Sequence, residues 1–194
     1  NILPSKGKLC NFDCVYCECG WNKDGISDNI FPRLGDVAAA LEAKMRAVLA
    51  EGKNVDSITF SGNGEPTMNP EFAEIIDVTL GLRDRFFSLA KVSVLSNATL
   101  AGRPKVMEAL LKVDNPIMKI DASSDELVKK INKPTGYYSL ASVVDNLRKF
   151  EGRFVLQTMF LKSADFDTAA PEPLKAWMDI VRELHPREIM VYTI

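Results

Sequence analysis

Hydrophobic residues along this chain fall into two alternating kinds of run. Short stretches rich in Val, Ile, Phe and Thr occur at residues 1–3, 57–61, 92–96, 117–121, 154–160 and 189–194, each bounded by polar residues, Gly or Pro. That pattern predicts six β-strands. Between them lie stretches with apolar residues at helical spacing, at 37–50, 70–80, 103–112, 125–131, 139–150 and 172–184. Their ends carry helix punctuation: Asp36 as an N-cap and Gly52 past the first, Asn69 before Pro70, Ser124 before the fourth, Gly152 after the fifth and Pro186 after the last. Strands alternating with helices imply βαβ units and a parallel sheet. Six such units are too few for a closed eight-stranded barrel of roughly 250 residues. The expected fold is therefore α/β, a partial (β/α)6 barrel with parallel strands, with a doubly wound sheet as the competitor. Either architecture places chemistry at the C-terminal ends of the strands.

No repeat or linker divides the 194 residues, so residues 1–194 read as one domain. The first residue is Asn1 and the last run stops while still strand-like, so the native chain is expected to continue at both ends. No stretch is apolar enough to span a bilayer and no signal peptide is visible. The expected setting is the cytoplasm, with no membrane partner. A net charge of −2 and a pI near 5.6 give no support to broad nucleic-acid binding. The basic run Lys129, Lys130 and Lys133 reads as a solvated helix end, with a phosphate- or substrate-contacting patch as the alternative.

All four cysteines lie between residues 10 and 19. A disulfide framework spreads its cysteines to staple distant segments, whereas clustering in one loop points to metal or redox chemistry in a reducing compartment. Cys10, Cys14 and Cys17 have the spacing C-x3-C-x2-C and follow the first predicted strand. Soft thiolates select an iron–sulfur cluster or zinc, and a structural cluster takes four of them. Three thiolates from one loop would leave one iron open. Cys19, one residue beyond Cys17, is poorly placed to join the same cube and reads as a structural or solvent-facing thiol. Zinc and burial as small hydrophobes remain the alternatives for the other three.

A second motif, Ser61-Gly62-Asn63-Gly64-Glu65-Pro66-Thr67, ends the second predicted strand. Gly64 and Asn63 can adopt positive φ and bring backbone close to a ligand. Pro66 ends the ladder. The expectation is an exposed strand end with free carbonyls and one carboxylate, Glu65, suited to an ammonium group. In the run 117–121, alternation puts Lys119 and Asp121 on one face, pointing into the barrel mouth, and Met118 and Ile120 on the other. Asn97 ends the third strand. Gln157 is a polar residue inside the fifth, lining the cavity or satisfying buried backbone.

Together, Cys-Asn-Phe-Asp-Cys-Val-Tyr-Cys and Ser-Gly-Asn-Gly-Glu-Pro-Thr resemble the two signatures of the radical S-adenosylmethionine superfamily, over essentially the whole chain. The wording is closest to the wyosine-synthase-like group, which Asp121-Ala122 and Ile131-Asn132-Lys133-Pro134 also fit. The resemblance implies an enzyme with a [4Fe–4S] cluster on Cys10, Cys14 and Cys17, and reductive cleavage of S-adenosylmethionine to a 5′-deoxyadenosyl radical. It implies that Tyr16 packs beside cluster and adenine, and that Asn63, Gly64 and Glu65 stand where the family's Gly-Gly-Glu-Pro binds the methionine amino group. Asn63 replaces a glycine there, and its side chain could add a hydrogen bond. Asn97-Ala98 stands in the place of a Thr-Asn-Gly found in many relatives, with Ala98 replacing glycine. Lys119, Asp121, Asn97 and Gln157 are the remaining expected cofactor contacts. A reductant such as flavodoxin or ferredoxin is implied. The substrate is left open among small molecule, RNA (including a transfer RNA base) and protein, and no acid, base or radical relay is assigned. Activation of a glycyl-radical enzyme, simple iron–sulfur electron transfer and a zinc-binding interaction module are the competing functions.

Overall fold

A computed structural model describes residues 1–22 and 27–193. Helix α1 (Leu34–Ala50) leads into β1 (Ser57–Phe60) and a 3-10 turn (Pro66–Met68). There follow α2 (Phe72–Phe86), β2 (Lys91–Ser96), α3 (Pro104–Lys112), β3 (Asn115–Lys119), α4 (Asp125–Ile131), α5 (Leu140–Arg148), β4 (Val155–Phe160), α6 (Pro171–Leu184) and β5 (Glu188–Thr193). The strands form one parallel sheet in the order β1-β2-β3-β4-β5. Successive strands are thus neighbours, and every strand ends on the same side.

Register and alternation put the main core on one face of this sheet. Ile58, Phe60, Val92, Val94, Met118 and Leu156 share one face by register and alternation. The main core packs on that face, with Phe72 and Ile76 of α2, Leu110 of α3, Leu147 of α5 and Trp177 of α6. Helix α1 adds Met45, beside Phe87 and Ala90. The opposite face carries Ser57, Thr59, Ser93, Asn115, Lys119 and Gln157 together with Leu95, Ile117 and Val155, so it mixes polar and apolar side chains. A parallel sheet in chain order with helices packed on its core face is consistent with a partial barrel.

Five of the six predicted strands are present. Residues 1–3 form no ladder. Ile2 and Leu3 are buried, but their backbone is held by side chains: Asn69 Nδ2 donates to Ile2 O at 2.6 Å, and Leu3 N donates to Asn1 Oδ1 at 3.0 Å. Pro4 then removes the next donor. Parallel pairing is made instead by Leu9, through a single bridge to Gly64.

Helix starts shift by a few residues. α1 begins at Leu34 with Arg33 as N-cap, so Asp36 lies in the first turn, where its charge suits the dipole. Asn69 closes a turn onto Glu71 N at 2.7 Å, and α2 starts only after it, then runs on through Gly81 to Phe86. Ser124 and Ser139 cap α4 and α5 by accepting from Leu127 N and Ser142 N. Among the described residues, no helix is long and apolar enough to cross a membrane.

Candidate active site

The cysteine loop sits on the C-terminal ends of β1, β2 and β3. Its first anchor is the β1 end. Leu9 N donates to Asn63 O and Glu65 N donates to Leu9 O, both at 2.9 Å. Gly64 makes this approach possible. Its φ is +156°, and a Cβ there would lie 1.7 Å from Leu9 O. The second anchor is the segment after α4. Asp13 N donates to Asn132 O at 2.9 Å, Val15 N to Ile131 O at 2.8 Å and Thr135 N to Asn11 O at 3.0 Å. The third is the β2 end, where Asn97 Nδ2 donates to Asn11 Oδ1 at 2.6 Å and Asn11 Nδ2 donates to Thr99 Oγ1 at 2.6 Å. Ala98 takes φ +63° at this turn, which explains why glycine is suited to its position.

Cys10, Cys14 and Cys17 are half-buried and Cys19 is exposed, all as free thiols. Cys10 and Cys14 pack with Tyr16 against a small apolar cluster of Phe12, Ala122, Val128, Ile131 and Leu161. Burial pushes the Cys10 thiol up to about 12, against the Phe12 N–H that donates to its sulfur at 3.4 Å. Burial also raises Cys14, with Asn132 and Tyr16 opposing. Cys10 is therefore a thiol at neutral pH in the cluster-free chain. Its alkylation by iodoacetamide is expected to rise about tenfold per pH unit between roughly pH 8 and 10, because only the thiolate reacts. Peptide mass spectrometry would read this, and a rate that plateaus below about pH 9 would contradict the environment described.

Donors converge on these sulfurs. Asn132 Nδ2 lies 3.3 Å from Cys14 Sγ, and Asn97 Nδ2 lies 3.8 Å from Cys10 Sγ. Beneath the loop, Lys8 is 5% exposed and donates to Asp13 Oδ1 at 3.2 Å and Gly20 O at 3.0 Å. Burial would lower its ammonium pKa, but Cys17, Asp13 and Cys10 outweigh that and hold it above the ordinary value. Asn22 Nδ2 ties the loop to itself through Cys10 O and Asp13 Oδ1, both at 2.9 Å. Three soft donors on one loop, met by N–H groups and a buried cation, suit ligands that carry negative charge as thiolates. Among the described residues, no three Cys, His or carboxylate side chains gather closely enough for one metal ion.

The other expected residues are distributed as follows. Tyr16 OH donates to Asp121 Oδ2 and accepts from Lys119 Nζ at 3.1 Å, while the Lys119 ammonium also lies 4.6 Å from the Tyr16 ring centre. Burial, then the Asp121 charge, push the Tyr16 phenol far up, so it remains a donor. Asp121 is 2% exposed and also accepts from Asn132 Nδ2 at 2.7 Å and Met159 N at 2.9 Å. Lys119 does reach the concave side, with Met118 and Ile120 in the core. Gln157 is the register partner of Lys119 and shares its face, but its side chain makes no hydrogen bond among the described residues.

Two residues differ from expectation in where they point. Glu65 is not an open carboxylate. It is 2% exposed and accepts from Thr67 N at 3.1 Å, Thr67 Oγ1 at 2.6 Å, Ser96 Oγ at 2.9 Å and Asn97 N at 2.7 Å. Burial pushes its carboxyl up while these donors oppose. Glu65 thus clamps the end of β1 to the end of β2. Asn63 does add hydrogen bonds, but inward: Nδ2 donates to Pro4 O at 2.9 Å and Gly7 O at 2.5 Å. Lys8 and Asn132 join the site without having been expected from sequence. Lys8 looks like any surface lysine, and Asn132 is marked only by its place in the run Ile131-Asn132-Lys133-Pro134, which assigns it no contact.

The sequence model of the Radical SAM superfamily matches residues 5–167. A UPF0026 protein of Methanocaldococcus jannaschii is 25% identical over 199 residues, covering 100% of this chain and 58% of its own length. A UPF0026 protein of Synechocystis is 28% identical over 187 residues, covering 94% and 64%. This chain thus spans about three fifths of the length of these curated relatives, whose description is UPF0026 and not wyosine synthase. Among solved structures, a polyhistidine-tagged anSMEcpe with bound AdoMet shares the fold with a TM-score of 0.66 at 18% identity, covering 98% of this chain and 48% of that one. The match across most of the chain, on a fold and a cysteine loop of this kind, makes it a member of the radical SAM superfamily, whose enzymes use a [4Fe–4S] cluster and S-adenosylmethionine.

Proposed function

We propose that Cys10, Cys14 and Cys17 ligate a [4Fe–4S] cluster at which this chain reductively cleaves S-adenosylmethionine. One observation carries the reading: the loop bearing the three thiols is paired, through Leu9 and Gly64, with the glycine-rich end of a parallel strand. The cluster, when bound, supplies an electron to the sulfonium, and the C5′–S bond breaks to give methionine and a 5′-deoxyadenosyl radical that abstracts hydrogen from a substrate.

The chain's own residues position and shield. The segment 62–64 offers backbone carbonyls to a ligand ammonium, with Asn63 and Glu65 holding that segment from behind. Lys119 offers a cation to a carboxylate, and Tyr16, pinned by Asp121, walls the adenine side. Asn97 seals the loop against β2, and Gln157 offers a free amide to the ribose or the substrate. The concave face is the space into which a substrate enters. An RNA base remains one candidate substrate, and the reductant is a carrier of the flavodoxin or ferredoxin kind. Four free cysteines suit the reducing cytoplasm.

Anaerobic reconstitution with iron and sulfide tests this. Dithionite and S-adenosylmethionine are expected to give 5′-deoxyadenosine and methionine in equal amounts by chromatography. A fully loaded cluster that yields neither would point to an electron carrier. Protein that takes up zinc but no sulfide would sink the reading outright.

A further inference from the structure

The geometry points to Asn132 as the residue that sets the reduction potential of the cluster, through its amide donation to Cys14. This inference rests on the cysteine-ligated cluster proposed above. Asn132 is 2% exposed and held at both ends of its own backbone. Its N–H closes α4 onto Val128 O at 2.8 Å, and its carbonyl accepts from Asp13 N, one residue before Cys14. The side chain is therefore delivered to the sulfur by the same residue that docks the loop. Nδ2 reaches Cys14 Sγ at 3.3 Å, Tyr16 OH at 3.2 Å and Asp121 Oδ2 at 2.7 Å.

The Asp121 carboxylate orients the amide. It takes one N–H, which leaves the second N–H for the sulfur and the phenol oxygen. Tyr16 OH donates to Asp121 and also stands beside Cys14, so Asn132 shares that sulfur with the phenol and supplies the amide donor. A neutral donor is what this position requires. Aspartate would set a second carboxylate against Asp121, and an apolar residue would leave Asp121 without one of its partners. Hydrogen bonds to ligand sulfur withdraw negative charge and favour the reduced, more negative state of a cluster. Without the Asn132 donor, the cluster becomes harder to reduce. Asn132 is thus a positioning residue that acts through Cys14.

The test is a potentiometric titration of reconstituted full chain with dithionite and mediators, followed by the electron paramagnetic resonance of the reduced cluster. In Asn132→Leu, the ratio of reduced to oxidised cluster at fixed potential is expected to fall about tenfold, a downward shift of about 59 mV for one electron. Asn132→Gln keeps the amide and should recover most of it. If the leucine variant does not fold, Asn132→Ser, too short to reach the sulfur, should show the same downward shift. Variants that load iron normally and titrate with the wild-type potential would overturn the inference and leave Asn132 only as the end of α4. Wild-type protein that takes up no cluster would overturn the parent reading together with it.

Discussion

Gly64→Ala is expected to unseat the cysteine loop and to lower stability by on the order of 3 kcal/mol. The reason is backbone against backbone. The new Cβ would sit 1.7 Å from the carbonyl oxygen of Leu9 and 2.4 Å from its carbon, and φ is +156°. The Leu3 side chain at 3.0 Å could turn away, but the two nearer atoms are backbone and no rotamer change relieves them. Either the β1 end or the loop must move, and the backbone bonds that Leu9 makes to Asn63 and Glu65 go with it. Each such bond is worth about 1 kcal/mol, and the strained dihedral adds about as much again. The urea midpoint should drop with an unchanged slope, and iron per chain after reconstitution should fall severalfold. Gly81→Ala serves as the control. It lies inside α2 with nothing within 4 Å, so it should stabilise by roughly 0.5–1 kcal/mol. Wild-type stability and iron content in Gly64→Ala would refute the packing described for the loop.

Asp121→Leu should cost about 4 kcal/mol even in cluster-free protein, because three donors around a carboxylate only 2% exposed lose their acceptor at once. These are the Tyr16 hydroxyl, the Asn132 amide and the Met159 backbone N–H. Whole domains have only about 5–15 kcal/mol of stability, so the effect is large. Asp121→Asn keeps one acceptor oxygen and the shape, and should lose roughly half as much. Urea unfolding of both variants without metal is the measurement. Equal stability of Asp121→Leu and wild type would mean that Asp121 serves only a ligand and that the network around Tyr16 carries no weight in the fold.

Parts of this site are legible in the amino-acid sequence alone. The spacing of the three cysteines, the need for glycine at residue 64 and the inward turn of Lys119 all follow from local rules of chain geometry. What is not legible depends on partners far away in sequence. Glu65 reads as an open carboxylate until Ser96 and Asn97 are brought beside it by the pairing of β1 with β2. Asn132 is 118 residues from Cys14, and nothing near either residue announces the other. Residues 1–3 have the composition of a strand. Burial alone satisfies the Ile2 and Leu3 side chains, and side-chain amides intercept their backbone groups before a ladder can form. Local pattern says which residues want to be inside; it does not say which of several inside positions they take.

Strand order follows chain order, and this separates the strands that hold the cysteine loop from the strand that does not. The grip on residues 10–17 comes from the ends of three adjacent strands and the turn after α4, with Met159 of β4 steadying Asp121 behind them. The outermost strand, β5, gives that loop no hydrogen bond among the described residues and leaves Ile189, Val191 and Tyr192 well exposed. Substitutions along that flank should therefore leave the seating of the loop unchanged, because none of its tethers among the described residues passes through β5.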